Sequence, residues 1–374
     1  MKFKRLITAT LACSMLFAVA GCDNSGGGSG ALNPESTTMI DTSKNYIRMY
    51  NDNLSVLIDR NTGYVATIKN AKTGFVNKSD AEGEWPFYIE YQEENSSITR
   101  NASIAKETNN TVSALRTYTQ GERDYLEVTY DNLMTDGKSP VSTGIGATVT
   151  FSIGADDDYF KYNVGIDMTD ANGDMTALHL ANGGDLRSGD GASEYLTAPV
   201  WGTGTKWKNP MNNTQLMTSR TLAYPGSGAY SLEAGWMDLS GENQGIGIGY
   251  INDQQLSVEF RFESTGAGMS IEVVLFQPTQ ILGKSVPLTK GEKFTSDDLL
   301  VSVHQDSWHK TADAYRTEYQ KAFILEDGSP DFLTADTLSS RADSYRYFFR
   351  ETCNYSGTGT NPDSSPASFK EMES

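Results

Sequence analysis

Residues 149–166 read VTFSIGADDDYFKYNVGI, and this stretch decides the fold. Apolar side chains occupy every second position on both sides of three consecutive aspartates: Val149, Phe151 and Ile153 before them, and Phe160, Tyr162, Val164 and Ile166 after them. A period of two with one apolar face predicts half-buried antiparallel strands, and the aspartates predict a solvated turn between them.

The same alternation recurs outward from this stretch, at residues 54–58, 126–130 and 256–262. Gly- and Asn-rich turn signals separate the runs, for example at 59–63, 172–174 and 182–185. No helical period interrupts residues 45–305, which excludes a barrel of alternating strands and helices. We therefore expect a mainly β domain over 45–305, built as a large antiparallel two-sheet super-sandwich.

The period changes after residue 305. An apolar face with spacings of four, three, four and three comprises Trp308, Ala312, Tyr315, Tyr319 and Ala322. This spacing predicts an amphipathic helix over 306–323 with Asp306 as its cap.

Residues 324–374 form a short C-terminal remnant in this interpretation. Residues 343–350 are aromatic and fit either a strand or the end of a helix. Ser368 and Glu371 have the spacing of a capping box, and Ser374 follows after about one turn. A helix that short is not stable alone. Residues 324–374 are either a frayed tail or the beginning of a further domain, and we favour the further domain.

The first residues predict export. Lys2, Lys4 and Arg5 precede an apolar run from Leu6 to Ala18, which is shorter than the roughly 20 residues that span a bilayer. The run ends in VAGC at 19–22, which resembles the lipobox of bacterial lipoproteins. We therefore expect residues 1–21 to be a signal peptide. Residues 22–44 are then a flexible tether, lipidated at Cys22, that holds the protein outside the cytoplasm to a membrane of the cell envelope.

Composition limits the partners. The chain carries a net charge of −18, so it repels nucleic acid and anionic headgroups. It has three cysteines, Cys13, Cys22 and Cys353, so cleavage before a lipidated Cys22 leaves no pair for an internal disulfide. Core burial must therefore stabilise the mature domain.

The sequence shows no complete active site, so no catalytic residue is assigned. The three histidines, His179, His304 and His309, form no metal-binding motif and no close cluster with carboxylates in the sequence. Residues 170–174 begin like a calcium loop, but Met175 stands where the loop needs glycine, so a hairpin turn is the better interpretation. The alternating glycines at 245–249 have the spacing of a strand and not of a phosphate loop. We expect no metal and no cofactor.

Aromatic residues on Gly- and Asn-rich segments suggest a glycan ligand. The segment WGTGTKWKNP at 201–210 is followed by Trp236. Flat apolar rings beside amide groups suit sugars, whose C–H faces stack and whose hydroxyls need partners. We predict carbohydrate binding by Trp201, Trp207, Asn209 and Trp236, although any single tryptophan is more often packed against a core.

The order of these features resembles a known family. Opening strands at 54–70, a 224–239 segment with Tyr224 and Trp236, a strand at 245–250, and a last strand entering 306–316 follow one another. This order is similar to that of the galactose-mutarotase-like super-sandwich that precedes a (β/α)8 barrel in certain glycoside hydrolases. The resemblance covers about residues 45–325 and implies that the catalytic carboxylates lie on a following barrel, which docks near Trp308. Such a barrel needs about 250 residues.

Three functions follow as alternatives. The first is the non-catalytic N-terminal domain of a lipid-anchored glycoside hydrolase. The second is a stand-alone surface glycan-binding lipoprotein, and the third is a structural envelope protein. A mutarotase is a poorer match, because no glutamate–histidine constellation can be placed from the sequence.

Overall fold

A computed structural model of the chain describes residues 33–34, 39–79, 85–104, 109–200, 204–224, 231–254, 256, 258–276 and 290–323. Within these residues the chain forms 22 strands, three short 3₁₀ turns (Gly191–Ser193, Pro210–Asn212 and Thr214–Leu216) and one α-helix. The strands are β1 Asn33–Pro34, β2 Ile40–Asp41, β3 Tyr46–Tyr50, β4 Leu54–Asp59, β5 Val65–Asn70, β6 Val76–Lys78, β7 Phe87–Glu93, β8 Thr99–Ser103, β9 Ala114–Gln120, β10 Arg123–Tyr130, β11 Gly146–Gly154, β12 Tyr159–Asp167, β13 Gly173–Leu186, β14 Tyr195–Ala198, β15 Thr205–Lys208, β16 Arg220–Tyr224, β17 Trp236–Ser240, β18 Gly245–Tyr250, β19 Val258–Ser264, β20 Met269–Phe276, β21 Lys293–Thr295 and β22 Leu299–His304; the helix is α1 His309–Phe323.

The strands form three sheets. The largest has 11 strands in the order β1-β9-β10-β11-β12-β22-β18-β17-β14-β15, with β21 also paired to β12. The second has six strands in the order β16-β19-β20-β13-β7-β8, and the third has five in the order β2-β3-β4-β5-β6. Among the described named strands every pair is antiparallel except β1 with β9. The prediction of a mainly β fold with antiparallel sheets and one helix near the C-terminal end is confirmed, and the third sheet is an addition to the two expected.

One hydrophobic core joins the sheets. The alternate burial of β10 shows the principle, since Leu126 and Val128 are buried and the residues between them are half-exposed. Rings from facing sheets meet in this core: Phe87 of β7 contacts Tyr130 of β10 with centroids 6.1 Å apart. Burial of apolar area on this scale stabilises a fold without disulfides.

The predicted turn at 59–63 is confirmed, and its residues explain it. The Asp59 Oδ1 atom accepts hydrogen bonds from the backbone N–H groups of Asn61 and Thr62, both at 2.9 Å. Gly63 adopts φ 74°, and a Cβ atom there would lie 1.9 Å from the Tyr130 hydroxyl. Only glycine therefore fits this turn between β4 and β5.

One other turn prediction is wrong, and a second is wrong in expecting a hairpin. Residues 182–185 lie inside the 14-residue strand β13, where the register with β20 shifts, so this Gly-rich segment forms a bulge. A bulge uses the same Asn and Gly residues as a turn. The turn at 170–174 does not close a hairpin, because it leads from β12 in the largest sheet to β13 in the six-stranded sheet.

The glycine-rich strand β18 forms the surface on which α1 packs, and we call this surface the glycine bed. Ile246 and Ile248 face the core, while the glycines between them face outward under the helix. A Cβ atom at Gly247 would lie 2.1 Å from Thr311 Oγ1, and one at Gly249 would lie 3.1 Å from a Tyr315 ring carbon. The absent side chains thus let the helix backbone approach the sheet closely.

The boundaries differ slightly from those expected. Ile40 is buried and lies in β2, so the folded part begins before residue 45. Asp306 has φ 77° and lies three residues before the first helical residue, so it is not the helix cap. Within the described residues no helix is long and apolar enough to cross a membrane.

Candidate functional site

An open hollow lies at the edge of the largest sheet, beside β14 and β15. Its volume is about 630 Å³. The residues that line it are Ser193, Tyr195, Lys208, Asn209, Asn212, Asn213 and Glu242, and we call it the Asn209 hollow. Six of these seven side chains are polar groups without an aromatic ring, so the hollow suits a ligand rich in hydroxyl groups.

The backbone around Asn209 is held in an unusual conformation. Asn209 adopts φ 46°, in the left-handed region that asparagine tolerates better than most residues. Its N–H group donates to the Glu194 carbonyl at 2.8 Å, and its own carbonyl accepts from the Asn212 N–H group at 3.0 Å. These bonds place the Asn209 side chain at the start of the 3₁₀ turn Pro210–Asn212, next to the hollow.

The amide groups of the hollow are partly engaged. Asn212 donates from Nδ2 to Asn209 Oδ1 at 3.2 Å, and Asn213 Oδ1 accepts from the Gln215 N–H group at 3.0 Å. Among the described residues, Asn209 Nδ2 and Asn212 Oδ1 make no hydrogen bond. One donor and one acceptor therefore remain for a ligand.

Tyr195 supplies the aromatic surface of the hollow. It is half-buried and faces Lys208 across the β14–β15 pair. The Lys206 ammonium lies 4.1 Å from the Tyr195 ring centroid, a cation–π contact that covers one face of the ring. A ligand would meet the rest of the ring together with lysine N–H donors.

The structure does not bring the predicted site residues together. Trp207 is partly buried and packs against the core at Phe262, with ring centroids 5.3 Å apart. Trp236 lies on the opposite face of the same sheet and is 6% exposed, with its ring stacked on Trp308 at 5.6 Å. The two rings therefore lie on different faces of the sheet, and Asn209 is the one predicted residue that lines the hollow. Trp201 and Cys22 lie outside the described residues.

His179 lies between two carboxylates that are distant in sequence. On the outer face of the six-stranded sheet its Nε2 lies 3.2 Å from Glu90 and its Nδ1 lies 3.4 Å from Glu272. Burial by itself lowers the pKa of His179, but the hydrogen bonds to Glu272 and Glu90 raise it overall. The bond to His179 in turn lowers the pKa of Glu90. His179 is 1% exposed and stacks on Tyr88 at 4.0 Å, so it is packed rather than open to a ligand.

Sequence reasoning missed the second histidine–carboxylate pair as well. His304 Nε2 lies 2.8 Å from Asp238 Oδ2, and both side chains are buried. Their separation of 66 positions hides the pair from any local motif. Within the described residues no three histidine, cysteine, aspartate or glutamate side chains are placed to hold a metal ion.

Comparison with known proteins found no matching family model and no curated protein similar in sequence. Among solved structures, an α-galactosidase from Lactobacillus brevis shows 10% identity and a TM-score of 0.43, over 74% of this chain and 42% of that chain. A candidate aldose 1-epimerase from Klebsiella pneumoniae shows 10% identity and a TM-score of 0.45, over 74% of this chain and 83% of that chain. An α-mannosidase from Enterococcus faecalis shows 13% identity and a TM-score of 0.46, over 77% of this chain and 32% of that chain. The chain thus spans less than half the length of the two glycosidases, and identities this low carry no information about activity.

Proposed function

We propose that this chain is the carbohydrate-binding, non-catalytic part of a lipid-anchored envelope protein, with the Asn209 hollow as its sugar site. The observation that carries the proposal is the chemistry of the hollow. It presents a free amide donor on Asn209, a free amide acceptor on Asn212 and part of the Tyr195 ring on an open surface. Neutral hydroxyl-bearing ligands bind through such combinations of hydrogen bonds and ring contact.

The number of carboxylates in the hollow fits a binding role better than a hydrolytic role. Glycoside hydrolysis generally uses two carboxyl groups on either side of the scissile bond. Glu242 is the one carboxylate among the residues that line the hollow. In this proposal a separate (β/α)8 barrel, docked near Trp308, supplies the catalytic carboxylates, as the sequence resemblance implies.

The binding proposal is tested with immobilised oligosaccharides and the purified mature chain. The Asn209→Gly variant keeps the left-handed backbone that glycine adopts freely and deletes the amide. Each lost hydrogen bond costs about 0.5–1.5 kcal/mol, so affinity should fall about 2- to 12-fold. The matched control is Asn95→Gly, at a second left-handed asparagine (φ 64°) in the turn after β7.

The outcomes separate the three functions. Loss of affinity in Asn209→Gly with full affinity in Asn95→Gly supports the sugar site. Glycan binding that both variants retain moves the site elsewhere. Absence of binding to every glycan in the wild-type chain favours a structural envelope protein.

The link to a hydrolase has its own assay. Native protein isolated from its source membrane is compared with the recombinant 374-residue chain on aryl glycosides. Hydrolysis by the native protein alone supports an accessory role beside a catalytic barrel. Binding without hydrolysis in both samples supports the stand-alone glycan-binding lipoprotein.

The lipid anchor is tested separately. Cells that express the chain are fed an alkyne-tagged fatty acid, and the label should appear in the wild type and disappear in Cys22→Ser. Label in both forms would place the lipid on another residue and overturn this part of the proposal. The sugar site would be unaffected by that result.

A further inference from the structure

Three polar contacts fasten the underside of α1 to the largest sheet and its neighbours. Thr311 Oγ1 donates to Asp238 Oδ2 at 2.6 Å. One turn later the Tyr315 hydroxyl lies 2.9 Å from that of Tyr224. One further turn on, Glu318 accepts from Lys161 Nζ at 2.6 Å. The spacing of four and three places all three contacts on the buried face of the helix.

The first of these contacts depends on an ionisable histidine. Asp238 Oδ2 receives the Thr311 hydroxyl and also lies 2.8 Å from His304 Nε2. Asp238 is 0% exposed and His304 is 2% exposed. A carboxylate that deep in a protein is stable only with a charged or hydrogen-bonding partner. Of the two side chains that contact Asp238 Oδ2 within the described residues, His304 is the one that can carry a positive charge.

Some polar atoms around this pair are left without partners. Within the described residues Asp238 Oδ1 and Ser302 Oγ are buried and make no hydrogen bond. Ser302 and Asp238 both lie opposite Gly247 in the strand register, so these atoms flank the glycine bed beneath Thr311. Buried polar groups without partners raise the free energy of the closed arrangement. These groups therefore reduce the stability of the contact between α1 and the largest sheet near Thr311.

A small pocket borders His304 on one side. Its volume is about 110 Å³, and it lies between His304, the turn after β5 and the start of α1. The charged groups that face His304 there are Asp158, Asp306, Lys72 and Lys310. Their charges sum to zero when both aspartates are ionised. The pocket therefore supplies no fixed counterion in place of Asp238.

We infer that His304 is a proton-sensitive fastening of α1: its imidazolium stabilises the buried Asp238 carboxylate beneath Thr311, and loss of that proton releases the helix from the sheet. The release needs no covalent change. A neutral imidazole can still donate its Nε2–H group to Asp238, but it no longer supplies a positive charge next to the buried carboxylate, which raises the free energy of the closed arrangement. The Glu318–Lys161 pair would stay charged in the same pH range and is not part of this switch.

The direction of the pH dependence follows from the pKa of His304. Burial by itself lowers this pKa, but the Asp238 charge raises it above the model-peptide value of 6.5. A group whose folded-state pKa is raised stabilises the closed form fully below pH 6.5 and loses that effect as the pH rises through the folded-state pKa. We therefore expect α1 to be fastened in mildly acidic solution and to open more often in alkaline solution.

Opening would uncover a specific surface. Trp236, Ile251 and Tyr315 form one buried apolar cluster with the helix, and Trp308, Tyr319 and two helical alanines pack at its edge. Release of α1 exposes the Trp236 ring. The proton concentration would thus control the exposure of this apolar surface on the outer face of the sheet.

The test is hydrogen exchange of residues 309–323 in the full chain, followed by mass spectrometry from pH 6 to pH 9 and expressed as protection factors. Linkage of one proton predicts that the opening equilibrium rises by up to tenfold per pH unit above 6.5 and then levels off. The same residues in His304→Gln, which donates to Asp238 without titrating, should show lower protection at pH 6 and less than a twofold change across the range.

Two variants keep the result interpretable. Thr311→Val leaves both ionisable groups in place but removes the link to the helix, so its pH response should also fall below twofold even if His304→Gln folds poorly. His179→Gln removes the other buried histidine and should keep the wild-type response. A wild-type protection factor that is constant from pH 6 to pH 9, a wild-type response in Thr311→Val or His304→Gln, or loss of the response in His179→Gln overturns the inference.

Discussion

Substitution of Gly247 by alanine should detach α1 from the sheet without touching a charged group. The new Cβ atom would lie 2.1 Å from Thr311 Oγ1 and 2.6 Å from Thr311 Cβ. The second distance involves an atom fixed to the helix backbone, so no rotation of the threonine side chain relieves it. Either the helix moves away or strand β18 bends into a filled core.

The magnitude follows from two contributions. Overpacking of a well-filled site costs about 1–3 kcal/mol. A helix shifted outward also loses the hydrogen bond of Thr311 to the Asp238 carboxylate, worth about 1.5–3 kcal/mol for a charged acceptor. Together they predict a fall of about 2.5–6 kcal/mol in the free energy of unfolding. At about 2–4 °C per kcal/mol for a domain of this size, Tm should fall by on the order of 10 °C.

Urea denaturation, monitored by tryptophan fluorescence, measures the fall in the free energy of unfolding, and thermal melting measures the fall in Tm. The control is Gly165→Ala in β12, where a Cβ atom would lie 3.5 Å from Thr295 Oγ1, an ordinary contact. That variant should be neutral or more stable by about 0.4–1 kcal/mol, because alanine restricts the unfolded chain. Equal stabilities of the two variants would refute the close packing of α1 on the glycine bed.

Three further predictions concern single contacts. Burial by itself raises the pKa of Glu318, but Lys161 lowers it to about 2, so the wild type should lose about 3 kcal/mol of stability as the pH falls from about 4.5 to about 2. Glu318→Gln should not show this loss. Urea denaturation at each pH measures the difference. Tyr315→Phe removes the hydroxyl contact with Tyr224 and should cost about 1–2 kcal/mol at all pH values below 10, read from the urea midpoint; an unchanged midpoint would contradict the contact. Trp207→Ala should lower the free energy of unfolding by less than the about 3–5 kcal/mol of a fully buried tryptophan, because Trp207 is partly buried against the core; a purely sugar-binding role would leave the thermal midpoint unchanged.

Local pattern was enough to predict the elements. Alternation at 54–58 and 149–166 identified strands and the face that each strand buries, because a pleated strand sends successive side chains to opposite sides. The spacing from Trp308 to Ala322 identified α1 and its buried face for the same kind of reason. The glycine alternation in β18 was recognised as a strand, but nothing local showed that a helix lies on it.

Local pattern could not distinguish features that use the same residues. The Gly- and Asn-rich segment at 182–185 is compatible with a turn and with a bulge, and the pairing of β13 with two neighbours selects the bulge. Trp207 and Trp236 both look like candidates for a sugar platform. Their positions on opposite faces of one sheet depend on which strands pair, and the sequence does not state that pairing.

The sequence by itself determined the β character, the amphipathic helix and the negative charge, because none of these depends on how distant strands pair. The lipid signal at Cys22 stays a prediction. The tertiary structure alone decided the sites. Glu90 and Glu272 meet at His179, and Asp238 meets His304, across at least 66 positions of chain. Such pairs form only when sheet order and register bring distant strands together, and many registers are compatible with the same alternation of apolar residues.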